Sequence, residues 1–204
     1  MLIEPLAISG AWSLVPTIHS DDRGAFCEWM RQDTLESLLG HRLDLAQANC
    51  STSRAGVVRG VHYADVPPGQ AKYVTCVSGS IVDVVVDLRV GSPTFGAWDA
   101  VELSGASRQA VYIGEGLGHA FMAVSDATVV YLCSTQYAPA REHGIDPFDP
   151  DLAIRWPSTN ATGAPFTPVL SAKDRAQPSL ASAAAAGRLP TFSDADRLYA
   201  DRVG

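Results

Sequence analysis

No apolar run of about 18 residues or more occurs in this 204-residue chain, so no membrane-spanning helix is expected. Basic charge is also scarce. Lys and Arg together number 15 against 22 Asp and Glu, a net charge of −7, whereas a nucleic-acid-binding face requires the opposite balance. That shortage still leaves room for a phosphorylated small molecule, which a few focused arginines can hold inside an acidic protein. The four cysteines, Cys27, Cys50, Cys76 and Cys133, lack CxxC spacing and sit among apolar neighbours. They are expected to be small, reduced core residues rather than zinc ligands or disulfide partners. The N-terminus has an early acid, Glu4, and no basic stretch, unlike a secretory signal, so a cytoplasmic location is the expectation. Internal repeats and a domain linker are lacking too. With 47% hydrophobic residues and a mean hydropathy of +0.06, the chain reads as one globular domain over residues 1–204. Its core is expected at about 10–157, with a helical C-terminal appendage at about 158–204.

What the chain has in abundance is period-two apolar alternation. KYVTCVS (72–78), SIVDVVVDLRV (80–90), WDAVEL (98–103), QAVYIG (109–114) and ATVVYLCSTQY (127–137) each suit a strand rich in Val, Ile, Tyr and Thr. VSGS, VGSPTFG, LSGAS and GEGLG supply turn residues. Strand after strand on short turns, with no helices between, predicts an all-β fold of antiparallel sheets closed as a sandwich or jelly roll. Helical patterns are confined to the flanks: a capped DTLESLLGH (33–41) ending at Gly40, then ASAAAAGR (181–188) and SDADRLYADR (193–202). PSTNATGAPFTP (157–168) reads as a loop, and FDPDL as a turn with exposed carboxylates.

Within GVVRGVHYADVPPGQAKYVTCVSG (56–79), Arg59, His62 and Lys72 interrupt a strand-like apolar stretch. Buried strands seldom carry such groups without partners. Parity puts Lys72, Val74 and Cys76 on one face, and likewise Val129, Tyr131, Cys133, Thr135 and Tyr137 on one face of a later strand. If Cys133 and Thr135 face inward, Tyr131 and Tyr137 share that interior. Gly60 and the Pro67-Pro68-Gly69 turn let Arg59 and His62 lie near a rim, where bulges re-aim side chains.

A small barrel with polar interior groups resembles a cupin, whose metal-binding members follow G-x5-H-x-H-x3,4-E-x6-G and then P-x-G-x2-H. Gly56 and His62 open the first motif and Gly79 closes it, but Ala64 and Lys72 stand at the second histidine and the glutamate. The second motif survives as residues 114–119, ending at His119. Two of four ligands remain and a lysine repels a divalent ion, so no metal is expected. The remaining groups suit proton abstraction beside a carbonyl. A histidine takes the proton, a lysine or histidine holds the oxyanion, and a tyrosine returns a proton from the opposite face.

SRAGVVRGVHYA, QAKYVTCVSGSIVDVVVDLRVGSPTFGAWDAVEL, IGEGLGHAF and VVYLCSTQYAPAREHGIDPFDPDLAIRWP together resemble the dTDP-4-dehydrorhamnose 3,5-epimerase family, metal-free cupins acting on dTDP-4-keto-6-deoxyglucose. The likeness starts near Gly10, takes in TIHSDDRGAFCEW and LAQANCSTS, and ends near LSAKD, roughly four-fifths of the chain. The resemblance implies a cupin-type jelly roll, no cofactor, and a set of roles. His62 would be the base at C3 or C5, Asp174 would orient it, Lys72 would stabilise the enolate at the C4 oxygen, and Tyr131 would be the acid on the opposite face. Arg59 and His119 would bind the substrate, Arg59 through the diphosphate. Tyr137 would stack on thymine with Glu142 nearby. Arg23, Phe26, Glu28, Gln47 and Asn49 match nucleotide-binding positions, some contributed by a neighbouring subunit, which implies a homodimer.

Two departures stand beside the pocket: Ala64 replaces a common glutamine, and GLGHAF replaces the usual G-[FL]-A-H-G-F. They bear on regiochemistry. A monoepimerase inverting only C3 or only C5 would use the same residues, whereas a non-catalytic nucleotide-sugar-binding cupin would be expected to lose base or acid. Plainer readings accompany each choice. His19, His41 and His143 are expected to be structural, and Lys72 could snorkel from an edge strand. Tyr131 could fill the barrel, Arg59 could pair with Asp65 or Asp83, and Arg23 and Glu28 alone would read as solvated surface. The alanine-rich tail receives no catalytic role.

Overall fold

The computed structural model describes residues 1–203. Its early elements are β1 (Leu2–Pro5), β2 (Ala11–Val15), β3 (His19–Asp21), β4 (Gly24–Phe26), α1 (Gln32–Leu39) and β5 (Gln47–Ser53). The central strands are β6 (Val58–Ala64), β7 (Lys72–Ser78), β8 (Ser80–Asp87), β9 (Trp98–Ser104), β10 (Ala110–Ile113), β11 (Leu117–Ala123), β12 (Ala127–Cys133) and β13 (Glu142–Gly144). Three helices follow: α2 (Ala172–Arg175), α3 (Leu180–Ala185) and α4 (Phe192–Val203). Two sheets face one another, ordered β1-β2-β10-β7-β12-β5 and β13-β6-β11-β8-β9, while β3 and β4 form a separate hairpin. All pairings within the sheets are antiparallel. This is the cupin jelly roll. Among the described residues no helix is long and apolar enough to cross a membrane.

The sequence of β8 explains how the layers close. Ile81 and Val85 face between the sheets, in a cluster with Val74, Cys76, Val111, Phe121 and Val129. Val84 and Val86 face the other way, under Leu180 and Ala183 of α3. Both faces are apolar because both are covered. On the opposite sheet, Tyr73, Tyr112 and Leu132 lie beneath Leu35 and Leu43 around α1. Each fully buried Val or Leu side chain contributes about 1.5–3 kcal/mol, so the central strands are held from both sides. Asp83 has the inward parity of Ile81 and Val85 and is itself buried.

Several expectations shift in detail. The strand expected over 80–90 stops at Asp87, whose carboxylate accepts from Arg89, Ser92 and Thr94 and turns the chain. The one expected over 127–137 stops at Cys133, because Ser134 and Thr135 turn their hydroxyls to Ala71 and Gly69. Helix α1 ends at Gly40 as expected but has no side-chain cap at its start. Asp33 is claimed instead by the Arg31 guanidinium. Cys50 is exposed, since β5 turns alternate residues to solvent, while Cys76 and Cys133 are buried and all four thiols are free. The FDPDL stretch is not simply exposed. Asp149 is 2% exposed and accepts the backbone N–H of Leu180 at the start of α3.

Candidate active site

The site forms where β6 meets β11. His62 lies directly opposite His119, and the register then slips so that Phe121 faces Arg59. The slip puts Arg59 and His62 on one side of the strand despite their odd spacing. Gly60 permits it. At φ +115 and with a Cβ position only 2.5 Å from the His119 carbonyl oxygen, no side chain fits there.

Each histidine is held through Nε2 by a carboxylate. His62 Nε2 lies 2.7 Å from Asp174 Oδ1, and His119 Nε2 lies 2.8 Å from Asp83 Oδ2. Ionised carboxylates only accept, so Nε2 carries the proton and the lone pair of each neutral ring sits on Nδ1. His62 is about one-third exposed, whereas Asp174 is buried. The SAKD sequence builds this partner locally. Ser171 caps α2 by accepting the Asp174 N–H at 3.0 Å, and its hydroxyl donates to Asp174 Oδ2 at 2.8 Å. Burial raises the carboxyl's pKa, but the bonds from His62 and Ser171 outweigh that and hold it below the ordinary carboxylate value.

Lys72 stands between Ile113 of β10 and Cys133 of β12. Among the described residues its ammonium has no hydrogen-bond acceptor. Burial lowers its pKa, opposed by Cys133, Glu142 and Asp83 nearby. Tyr131, two residues before Cys133, packs against the interior cluster. Burial raises its pKa, with Cys133 and Glu142 adding and Arg59 opposing. The phenol therefore stays protonated through neutral pH. An imidazole base with a fixed tautomer, an uncommitted cation and a protonated phenol are the parts that enolisation and reprotonation need.

The other expected site residues divide into two groups. Gln47 and Asn49 line the half-buried face of β5: Gln47 donates to Asn49, and Asn49 donates to the Cys133 sulfur. Tyr137 is half-exposed and its backbone N–H is held by Gln47 Oε1. Glu142 sits opposite Ala64 on β13, close enough to act on Lys72 and Tyr131. Arg59 pairs with neither Asp65 nor Asp83. It donates to Ser53 Oγ and the Thr52 carbonyl, while Asp65 takes His143 and Asp83 takes His119.

Arg23, Phe26 and Glu28 are not brought to His62. Arg23 is 90% exposed and binds Asp21, Phe26 is 66% exposed on the β3–β4 hairpin, and Glu28 binds Arg31. Sequence reasoning missed two supports, Asp83 behind His119 and Ser171 behind Asp174. Both left a trace: an aspartate at inward parity in SIVDVVVDL, and the S-x-x-D cap pattern in SAKD.

Residues 5–182 match a family model described as dTDP-4-dehydrorhamnose 3,5-epimerase. The dTDP-4-dehydrorhamnose 3,5-epimerase of Mycolicibacterium smegmatis is 53% identical over 195 residues, covering 95% of this chain and 93% of its own. The solved rmlC epimerase of Mycobacterium tuberculosis superposes with a TM-score of 0.95 at 50% identity, covering 99% of this chain and 100% of that one. ChmJ, a 3'-monoepimerase from Streptomyces bikiniensis solved with dTDP-quinovose, superposes at 0.92 with 48% identity, covering 98% of each chain.

Proposed function

The chain belongs to the dTDP-4-dehydrorhamnose 3,5-epimerase family, and from that premise we propose that it epimerises dTDP-4-keto-6-deoxyglucose at C3 and C5. The observation that carries this reading is the Asp174-backed His62, with its Nδ1 unclaimed, in one interior with an uncommitted Lys72 ammonium and a protonated Tyr131. His62 Nδ1 removes the proton at C3 beside the C4 ketone. Asp174 steadies the imidazolium that forms, and Lys72 neutralises the enolate oxygen. Tyr131 delivers a proton to the opposite face of the sugar, and the same sequence at C5 completes the double inversion. Deprotonation and reprotonation balance without a redox cofactor or a metal.

His119 and Arg59 hold the sugar and diphosphate, and Gln47, Asn49, Tyr137 and Glu142 border the nucleotide. The exposed arm carrying Arg23, Phe26 and Glu28 serves the site of a second copy, which makes the working unit a homodimer. Residues 1–204 act as one domain in the cytoplasm, with α3 and α4 as its C-terminal appendage.

One observation favours a narrower chemistry. Ala64 leaves the space beside His62 and opposite Glu142 less filled than a glutamine would, and a relative of 48% identity is described as a 3'-monoepimerase. Incubation with dTDP-4-keto-6-deoxyglucose in D2O, followed by NMR, separates the readings. Deuterium at C3 and C5 with inversion at both is expected; inversion at C3 alone establishes the monoepimerase. Binding without exchange would overturn the enzyme reading in favour of a binding module.

A further inference from the structure

The C-terminal helix received no role from the sequence, yet it ends on a fully buried carboxylate next to the site. Glu115 is 0% exposed. Its Oε2 accepts from the Tyr199 hydroxyl at 2.8 Å, and its Oε1 accepts from Arg202 at 2.5 Å and, more weakly, from Ser134 at 3.4 Å. The Glu115 backbone N–H donates back to the Tyr199 oxygen at 2.9 Å. Gly114 makes room for this contact, since a Cβ there would lie 2.2 Å from the Tyr199 oxygen. Two residues of α4 supply the partners that make burial of this carboxylate tolerable.

The position of the cluster gives it a consequence for chemistry. Lys72 is paired with Ile113 on one side and Cys133 on the other. Glu115 lies two residues beyond Ile113, and Ser134 directly follows Cys133, so the two strands flanking Lys72 are tied together where they leave the sheet. Ser134 also grips the residue before Lys72: its Oγ accepts the Ala71 N–H at 2.8 Å and its N–H donates to the Ala71 carbonyl at 3.0 Å.

We propose that α4 is a clamp on the active site, in which Tyr199 and Arg202 are positioning residues that fix the Lys72 ammonium through Glu115, Ser134 and Ala71. The proposal rests on the epimerase reading, and gives the tail a function in setting the oxyanion partner rather than in touching substrate. The clamp acts most directly on the residue before Lys72, the group that meets charge as it develops. The expected effect therefore falls on kcat rather than KM.

The test compares wild type with Tyr199→Phe, Arg202→Met and Arg202→Lys in the full chain, assayed well below the lowest melting temperature. Tyr199→Phe should lower kcat about tenfold with KM within about twofold, Arg202→Met should lower it further, and Arg202→Lys should recover most of the loss. A second readout needs no turnover. Lys72 and Lys173 are the only lysines, and Lys173 is exposed, so labelling by a small amine-reactive reagent, mapped by mass spectrometry, gives a Lys72:Lys173 ratio. That ratio should rise severalfold in the Phe and Met variants. If Arg202→Met does not fold, Tyr199→Phe, which keeps the ring, carries the test. A folded Tyr199→Phe protein with wild-type kcat, a loss confined to KM, or a loss of kcat with an unchanged labelling ratio would each overturn the clamp. Absence of wild-type turnover would instead overturn the epimerase reading, and the clamp with it.

Discussion

Replacing Asp174 by Asn isolates the charge behind His62 while preserving its shape. Asp174 offers Oδ1 to His62 at 2.7 Å and Oδ2 to the Ser171 hydroxyl at 2.8 Å. An asparagine can keep its amide oxygen toward His62 Nε2–H and turn its NH2 toward Ser171 Oγ, which has a lone pair left after accepting the residue-174 N–H. The geometry survives, and what is lost is the negative charge facing an imidazolium. A hydrogen bond to a charged group contributes about 1.5–3 kcal/mol. Because His62 is about one-third exposed, solvent screens part of that, and about 2 kcal/mol is the reasonable share. The expected fall in kcat is therefore about 30-fold, with KM little changed.

The assay is the initial rate of deuterium incorporation at C3 in D2O at saturating substrate. A kcat within threefold of wild type would refute the pairing as a catalytic element. Stability supplies an independent check. The folded Asp174 carboxyl has its pKa below the ordinary 3.8, so its contribution is complete above the unfolded value and disappears as pH falls through the folded one. The melting-temperature gap between wild type and Asp174→Asn should accordingly hold near neutrality and close only under about pH 4.

Lys72→Arg should move the alkaline loss of kcat to higher pH while lowering its maximum. Burial lowers the pKa of the lysine and raises that of Tyr131, whereas a guanidinium stays charged throughout. An unmoved alkaline limb in the pH–rate profile would assign that limb to another group. Gly60→Ala should destabilise by at least about 2 kcal/mol, lowering the melting temperature by about 4–8 °C, because the methyl meets the His119 carbonyl at 2.5 Å with φ at +115. A melting curve within 1–2 °C of wild type would contradict that strain. Asp149→Ala should cost about 1–3 kcal/mol by unpairing the Leu180 N–H, read as a lower urea midpoint at constant slope, with kcat at low temperature unaffected.

Strand parity makes part of the barrel interior legible in the sequence, as far as the strands run. Lys72 and Tyr131 lie on strands whose alternation is strict, so facing inward follows from counting, and KYVTCVS coincides with β7. Partner choice is not set that way. Arg59 had two plausible acids within reach in sequence, Asp65 and Asp83, and took neither, because β8 enters the sheet with Asp83 opposite Phe121 and hence diagonal to His119 on the same face. The register slip between β6 and β11 was legible only as a tendency around Gly60, since the atoms that forbid a side chain there belong to His119 and Ala120, some 60 residues on.

Distance along the chain separates the two carboxylates that matter most. Asp174 is 112 residues from His62, and the spacing of SAKD could place the S-x-x-D cap but not the imidazole it would meet. Glu115 is the sharper case. It stands between two glycines in a turn, where nothing local marks it as buried, and its burial becomes tolerable only when residues 199 and 202 return across the barrel end to bond it. Neither half predicts the other, because a buried charge and its distant cation carry no local pattern until the fold closes. The β3–β4 arm is equally silent in the sequence: its Phe26 is 66% exposed and lies beside Ile18 and Val77, which are exposed too. One such side chain alone would mean little, but contiguous exposed apolar groups mark an interaction surface, and the proposed second copy is what would cover them.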